Sequence, residues 1–335
     1  ISPENLFINE KGKRLMIQEA QQTITVFAPA TVANVSCGFD VFGFAVHEPG
    51  DTVQLNLRDK PGVSIISVSG DNGVLSTDPQ KNTAGVAACQ FLKAFAPEAG
   101  VDIVLNKGLP VGSGLGSSAA SSAAVLFGLN RLFGHPAGEK ELLAFGLRSE
   151  QTACGSAHGD NIIPSLLGGF VLIRSYDPLD ICHLPVPHDL TCTLIYPHVE
   201  IETRKARELL PVNIPLRTAI RQWGNTAGFV AGLYRDDYDL IARSMEDLVA
   251  EPVRAKLIPN YYDVVHEAKL AGALGWGISG SGPAIFALSK GKHVAQSVCD
   301  AMESVYIKSG TDYNSWISSV NMEGPRIINP NIQNL

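Results

Sequence analysis

Residues 110–120 read Pro-Val-Gly-Ser-Gly-Leu-Gly-Ser-Ser-Ala-Ala. The alternating glycines, Gly112, Gly114 and Gly116, free the backbone to turn its N–H groups inward, because no Cβ blocks that conformation. Ser117 and Ser118 then open an alanine-rich run whose pattern predicts a helix from Ser117 to Phe133, stopped by Gly134, His135 and Pro136. A glycine turn that opens a helix is suited to an anion, since unpaired N–H groups and the positive end of the helix dipole face it. The pattern alone serves a phosphate loop or a plain turn before a core helix about equally well. No Gly-x-x-x-x-Gly-Lys-Ser/Thr occurs, and the glycine spacing is not that of a dinucleotide fingerprint.

Other chemistry-bearing residues fall in separate clusters. Asn34 and Asp40 stand among apolar neighbours just after a strand pattern, where a capping Asn and a turn Asp are the simpler reading. Glu150, His158, Asp160 and Asn161 lie within twelve residues beside an apolar stretch, at a helix end and the glycine turn that follows. Arg207 and Arg254 taken singly are ordinary solvated cations. Gly275–Gly282 is a second glycine turn, carrying Ser279 and Gly280.

The elements that must position these groups can be read from periodicity. Strand patterns occur at Thr23–Phe27, Asp51–Leu57, Val63–Val68, Val101–Asn106, Phe170–Arg174, Leu190–Tyr196, Ala284–Leu288 and Ile317–Val320. Helical patterns occur at Thr83–Phe95, Glu139–Thr152, Ile201–Leu210, Leu216–Tyr234, Tyr238–Asp247, Tyr262–Ala271 and His293–Lys308. Strands and helices mix without strict alternation, which predicts an α+β chain in two lobes, divided near 185 where Pro185 and Pro187 interrupt the pattern. Residues 1–22 read as a leader or flexible extension, with Met16 a plausible natural start.

Composition narrows the class. The chain has 335 residues, 18% charged and 45% hydrophobic, enough for a large core and about two domains. A net charge of −7 without a Lys/Arg cluster argues against nucleic acid as the main partner. No apolar run approaches the roughly 20 residues needed to span a bilayer, and the polar start lacks a signal-peptide pattern. The six cysteines are scattered, with no Cys-x-x-Cys pair, which predicts reduced thiols in a cytoplasmic protein. The histidines show no metal spacing, so structural zinc is not expected. A serine hydrolase is disfavoured, since no Gly-x-Ser-x-Gly elbow exists.

The loop at Pro110–Ala120 resembles the Pro-x-x-x-Gly-Leu-Gly-Ser-Ser-Ala signature of the GHMP kinases. The segment from Pro29 to Gly43 is similar to the opening motif of the homoserine kinase branch, Pro-x-x-x-Ala-Asn-Leu-Gly-Pro-Gly-Phe-Asp. Here Asn34 and Asp40 keep the spacing, while Val35, Ser36 and Cys37 replace Leu-Gly-Pro and change the turn. Residues 150–164 match that branch's Glu-x-x-x-x-Gly-x-x-His-x-Asp-Asn-x-x-Pro, and Gly275–Ala287 resembles the third GHMP motif. The resemblance runs over about residues 23–320 with the motifs in order. It implies a two-lobed GHMP kinase fold: a ribosomal protein S5 domain 2-like ATP-binding domain over 23–185 and a ferredoxin-like domain over 186–325.

The implied reaction is ATP-dependent phosphorylation of L-homoserine for threonine synthesis, in a homodimer with Mg²⁺ as cofactor. By the same resemblance Asn82 and Thr83 meet the adenine. Pro110, Gly112, Ser113, Gly114, Leu115, Gly116, Ser117 and Ser118 form the phosphate loop. Ser118 and Glu150 hold Mg²⁺. Lys107 faces the phosphates or is a solvated lysine. Asn34, Asp40, His158, Arg207 and Arg254 bind the amino acid, with both arginines on its carboxylate, a task suited to the guanidinium fork. Thr203 lies near the transferring phosphate, and Asp160 either touches substrate or orients a neighbour. Asn161 stands where some GHMP kinases carry an aspartate, and it cannot take a proton. A base-free or substrate-assisted transfer is therefore expected. Mevalonate or sugar kinases of the same family, and a non-catalytic ligand-binding regulator, are the rival readings.

Overall fold

The computed structural model describes residues 22–155 and 159–328, together with two short paired strands, β1 (Leu6–Ile8) and β2 (Arg14–Met16). The remainder of the expected leader and His158 lie outside the described residues. The first sheet is built on β3 (Thr23–Ala33) and β4 (Phe42–Arg58), antiparallel to each other. It continues through β6 (Gly100–Asn106) to β5 (Gly62–Ser69), which runs parallel to β6. A hairpin of β7 (Phe170–Tyr176) and β8 (Leu179–Leu184) joins the near end of β4. Helices α1 (Thr83–Phe95), α2 (Ser117–Leu132), α3 (Glu139–Cys154) and α4 (Gly159–Leu167) cover this sheet and one another.

Beyond residues 185–189 a second, wholly antiparallel sheet forms in the order β10-β11-β9-β12, from β10 (Gly275–Ile278), β11 (Ile285–Lys290), β9 (Leu190–Pro197) and β12 (Tyr313–Ser319). It packs against α10 (Lys292–Ser309), which in turn packs on α9 (Tyr261–Leu270). Between β9 and β10 run α5 (Thr203–Glu208), α6 (Leu216–Arg235), α7 (Tyr238–Ser244) and α8 (Glu251–Arg254). The chain then returns, and β13 (Arg326–Ile327) pairs with β3.

Aromatic packing crosses between the two halves. Phe42 and Phe170 of the first sheet meet Phe229 of α6 at 5.5 and 5.7 Å between ring centroids, and Phe44 meets Phe286 of β11 edge-on at 6.5 Å. All five rings are fully buried, so separating the halves would expose large apolar area.

Several sequence expectations shift. The glycine turn expected after Glu150 contains a helix, α4, with Asp160 and Asn161 in its first turn and Pro164 inside it. Gly159 and Pro164 read as breakers. Yet α4 sits hard against β4, where a Cβ on Gly43 would lie 1.8 Å from the Asp160 carbonyl oxygen. The helix expected to reach Asp247 ends at Ser244, because the Asp247 carboxylate instead accepts from the N–H groups of Val249, Ala250 and Glu251 and so leads into α8. Gly275–Ile278 is strand rather than turn, and the last expected strand begins earlier, at Tyr313. No helix among the described residues is long and apolar enough to cross a membrane.

Candidate active site

A cleft of about 330 Å³ lies between the two halves, and most of the expected site residues line it. On one wall is the glycine loop. Gly112, Gly114 and Gly116 all take positive φ, at 74°, 82° and 70°. Two of these positions admit no side chain: a Cβ on Gly114 would lie 2.4 Å from the Ser279 carbonyl oxygen, and one on Gly116 would lie 2.1 Å from Thr31 Oγ1. Gly116 is the N-cap of α2, whose first turn carries no acidic residue, so its leading N–H groups open into the cleft without a built-in anion. Pro110 and Leu115 belong to the loop but not to the cleft lining. Leu115 is buried in the core, and its carbonyl accepts from Thr31 N.

The second glycine turn buttresses the first. Ser279 Oγ donates to Gly114 O at 2.8 Å and Ala284 N donates to Ser113 O at 3.0 Å. The Gly280 carbonyl gathers Asn34 Nδ2 at 2.6 Å and a terminal nitrogen of Arg254 at 2.9 Å. Asn34 Oδ1 in turn accepts from Asp40 N, so this side chain braces its own loop as well as lining the cleft.

At the start of α2, Ser118 Oγ donates to Glu150 Oε2 at 2.8 Å. Glu150 is buried, its Oε1 has no hydrogen-bond partner, and burial pushes its carboxyl up to about 7. A hydroxyl and an orphaned carboxylate oxygen beside a phosphate-type loop are hard oxygen donors of the kind Mg²⁺ takes along with water and phosphate. The donor set fits that ion.

Lys107 is neither solvated nor aimed freely at the cleft. Its ammonium, buried beneath the loop, donates to Asp51 Oδ2, to Ser117 O at 2.7 Å and to Ser121 Oγ at 2.8 Å, which uses all three N–H groups. Asp51 Oδ1 also takes the backbone N–H groups of Gly108 and Leu109 at 3.1 Å. This buried pair ties the strand before the loop to the first turn of α2. Asp51 and Ser121 escaped sequence reading because Asp51 and Lys107 are 56 residues apart and only folding brings them together.

Asn82 and Thr83, expected at the adenine, are similarly committed. Asn82 caps α1, accepting from Ala84 N, and donates to Ser76 O; Thr83 Oγ1 donates to Ser118 O. Both line the cleft beside Lys81 and Leu75, which the sequence did not single out.

At the far end the charged groups pair. Arg207 grips the Asp40 carboxylate with both terminal nitrogens, at 2.5 and 3.3 Å. That bond raises the Arg207 pKa above its ordinary value. Arg254 is buried, and burial lowers its pKa. Asp160 is buried in the wall, where burial first and the nearby Asp40 charge second push its carboxyl up to about 7. Asn161 Oδ1 accepts from Thr31 Oγ1 at 2.8 Å, and Thr203 Oγ1 lies 3.2 Å from Ser281 Oγ. The arrangement places the N-terminus of α2 at one end of a cleft and a paired anion and cation at the other.

Comparison with known proteins agrees with this geometry. The family profile described as GHMP kinases N terminal domain matches residues 82–169, and that described as GHMP kinases C terminal matches residues 229–308. The homoserine kinase of Chlorobaculum tepidum is 49% identical over 319 residues, covering 92% of this chain and 98% of that protein. The crystal structure of homoserine kinase from Cytophaga hutchinsonii superposes with a TM-score of 0.91 at 51% identity, covering 94% of this chain and 100% of that one. The L. major mevalonate kinase, at 14% identity and a TM-score of 0.70 over 91% of this chain and 99% of its own, shares the fold. The chain belongs to the GHMP kinases, in their homoserine kinase branch.

Proposed function

We propose that this chain transfers the γ-phosphoryl group of ATP to the hydroxyl of L-homoserine, giving O-phospho-L-homoserine for threonine synthesis. The observation that carries this reading is the sharing of one cleft by the α2 glycine loop and the Asp40–Arg207 pair. An α-amino acid brings one ammonium and one carboxylate, the complement of that pair. Asp40 exchanges Arg207 for the ammonium, and Arg207 with Arg254 takes the carboxylate. The hydroxyl end of the substrate is thereby turned toward the loop. Phosphoryl transfer asks little covalent chemistry of a protein, so positioning and charge stabilisation supply the rate.

The α2 N–H groups hold the phosphates, with Lys107 and Asp51 fixing the loop that presents them. Asn82 and Thr83 contribute to the base pocket as its wall. Ser118 and Glu150 would hold Mg²⁺, which when bound neutralises negative charge on the phosphates. Asn161 has no proton-accepting basicity, and Asp40 is engaged by Arg207 and then by the substrate ammonium, so the hydroxyl proton passes to an oxygen of the transferring phosphoryl group itself rather than to a protein base. His158 completes the substrate end by resemblance. The lobes divide near residue 185. The cytoplasmic placement draws on the free thiols of Cys37, Cys89, Cys182, Cys192 and Cys299, and the homodimer on the resemblance to relatives.

The test is ADP release from MgATP with L-homoserine, L-threonine or mevalonate as acceptor. Release with homoserine alone is expected. Release with another acceptor keeps the kinase and overturns the substrate end. Nucleotide binding without any release transfers the case to a non-catalytic regulator.

A further inference from the structure

Between Gly38 and Asp40 stands Phe39, a half-buried ring that carries no group phosphoryl transfer requires. Both substrate-end guanidinium groups lie against it. Arg254 Cζ is 5.0 Å from the ring centroid and Arg207 Cζ is 6.0 Å away, both within the range of cation–π attraction. The two arginines come from different elements, α8 and α5, and carry like charge. Arg254 is fixed further by its bonds to Ala206 O at 3.3 Å and Gly280 O at 2.9 Å. Among the described residues, the hydrogen bonds of the Arg207 guanidinium go to Asp40, the residue next to Phe39.

We propose that Phe39 is a positioning residue for both arginines, setting the spacing of two cationic forks that would otherwise repel, and thereby the preference for acceptors bearing an α-carboxylate. When Asp40 exchanges Arg207 for a substrate ammonium, the Phe39 ring is the contact that keeps the freed guanidinium beside Arg254, where both meet the substrate carboxylate. This proposal rests on the amino acid reading of the site.

The experiment compares L-homoserine with 2-amino-1,4-butanediol, the same acceptor with its carboxylate reduced, in the full-length wild type, Phe39→Leu and Phe39→Tyr. Steady-state ADP release is measured, together with calorimetric binding of L-homoserine. In Phe39→Leu the KM and the dissociation constant for homoserine are expected to rise about tenfold. Its kcat should stay within about twofold, and its KM values for MgATP and the diol should not change. The preference for the carboxylate then collapses. Phe39→Tyr, which keeps the aromatic face, should restore homoserine KM to within about threefold. Unchanged homoserine affinity in Phe39→Leu overturns the proposal. So does a parallel rise in both acceptor KM values, or failure of Phe39→Tyr to rescue, since each marks a merely structural role. A wild type that neither binds nor phosphorylates homoserine sinks the amino acid reading itself, and this proposal with it.

Discussion

At the scale of single residues, two charged contacts carry separable predictions. Glu150 offers one bonded and one orphaned carboxylate oxygen at the head of α2. Glu150→Gln keeps the shape and removes the charge, so the Mg²⁺ concentration for half-maximal activity should rise at least 10–100-fold in a metal titration of ADP release. An unshifted midpoint would remove Glu150 from the metal site. Asp40 faces Arg207 and, on the present reading, exchanges it for the substrate ammonium. Asp40→Asn is therefore expected to raise homoserine KM by about a hundredfold or more and to spare kcat far better. Loss of kcat with affinity kept would instead make Asp40 the base. Those two residues were legible because their motifs are local. Asp51 was not: one acid in an apolar strand says nothing until Lys107 and Ser121 close around it.

At the scale of elements, the loop and α6 show how much depends on backbone and on an uncovered face. Gly114 takes φ 82° with the Ser279 carbonyl oxygen where a Cβ would go, so the two glycine turns touch through main chain. Gly114→Ala must move one turn off the other in addition to a left-handed penalty of about 1–2 kcal/mol. Nucleotide affinity should fall in titration calorimetry while the second sheet stays folded by circular dichroism; unaltered nucleotide binding would refute the close approach. Along α6, Leu216, Ile220 and Trp223 follow at helical spacing and remain exposed, Trp223 at 62%. The same helix reaches inward through Gln222 and Thr226 to the carbonyl of Cys37, in the Asn34–Asp40 loop. In the homodimer proposed above, a second copy covering this stripe across a two-fold axis would bury one tryptophan from each subunit, and an aromatic ring that size supplies some 150–250 Å². Trp223→Glu is expected to yield monomer in analytical ultracentrifugation, and a variant that sediments as a dimer places the interface elsewhere. Helices such as Thr83–Phe95 could be read to the residue, because an Asn cap and an unbroken apolar period mark both ends. Helix α4 could not, because its two breakers are outweighed by tertiary packing against Gly43.

At the scale of the whole molecule, the cleft and its surroundings hold three carboxyl groups that burial pushes up to about 7: Glu150, Asp160 and Glu251, from ordinary values of 4.5, 3.8 and 4.5. Their common cause is the fold itself, which closes two lobes over polar groups that a catalytic cleft requires. The sign of the consequence follows from proton counting. Between about pH 4 and 7 the folded chain holds protons that the unfolded chain has shed, so folding stability falls as pH rises through that window. Asp71, which accepts from the N–H groups of Gly73 and Leu75, and the exposed Glu202 have values lowered by hydrogen bonds, so their effect is felt only as pH falls below their ordinary values of 3.8 and 4.5, at the foot of that window or beneath it. The urea midpoint of the ligand-free protein should therefore decline from pH 5 to pH 8. Glu251→Gln, which removes one of the three groups while leaving Ser118 and Glu150 intact, should flatten that decline. MgATP should raise the midpoint more at pH 8 than at pH 6, because the ionised Glu150 carboxylate is the form that accepts a cation. A midpoint that climbs steadily from pH 5 to pH 8 would mean that these carboxyls are ionised and solvated in the folded protein, and that the lobes stand further apart in solution than the cleft geometry requires.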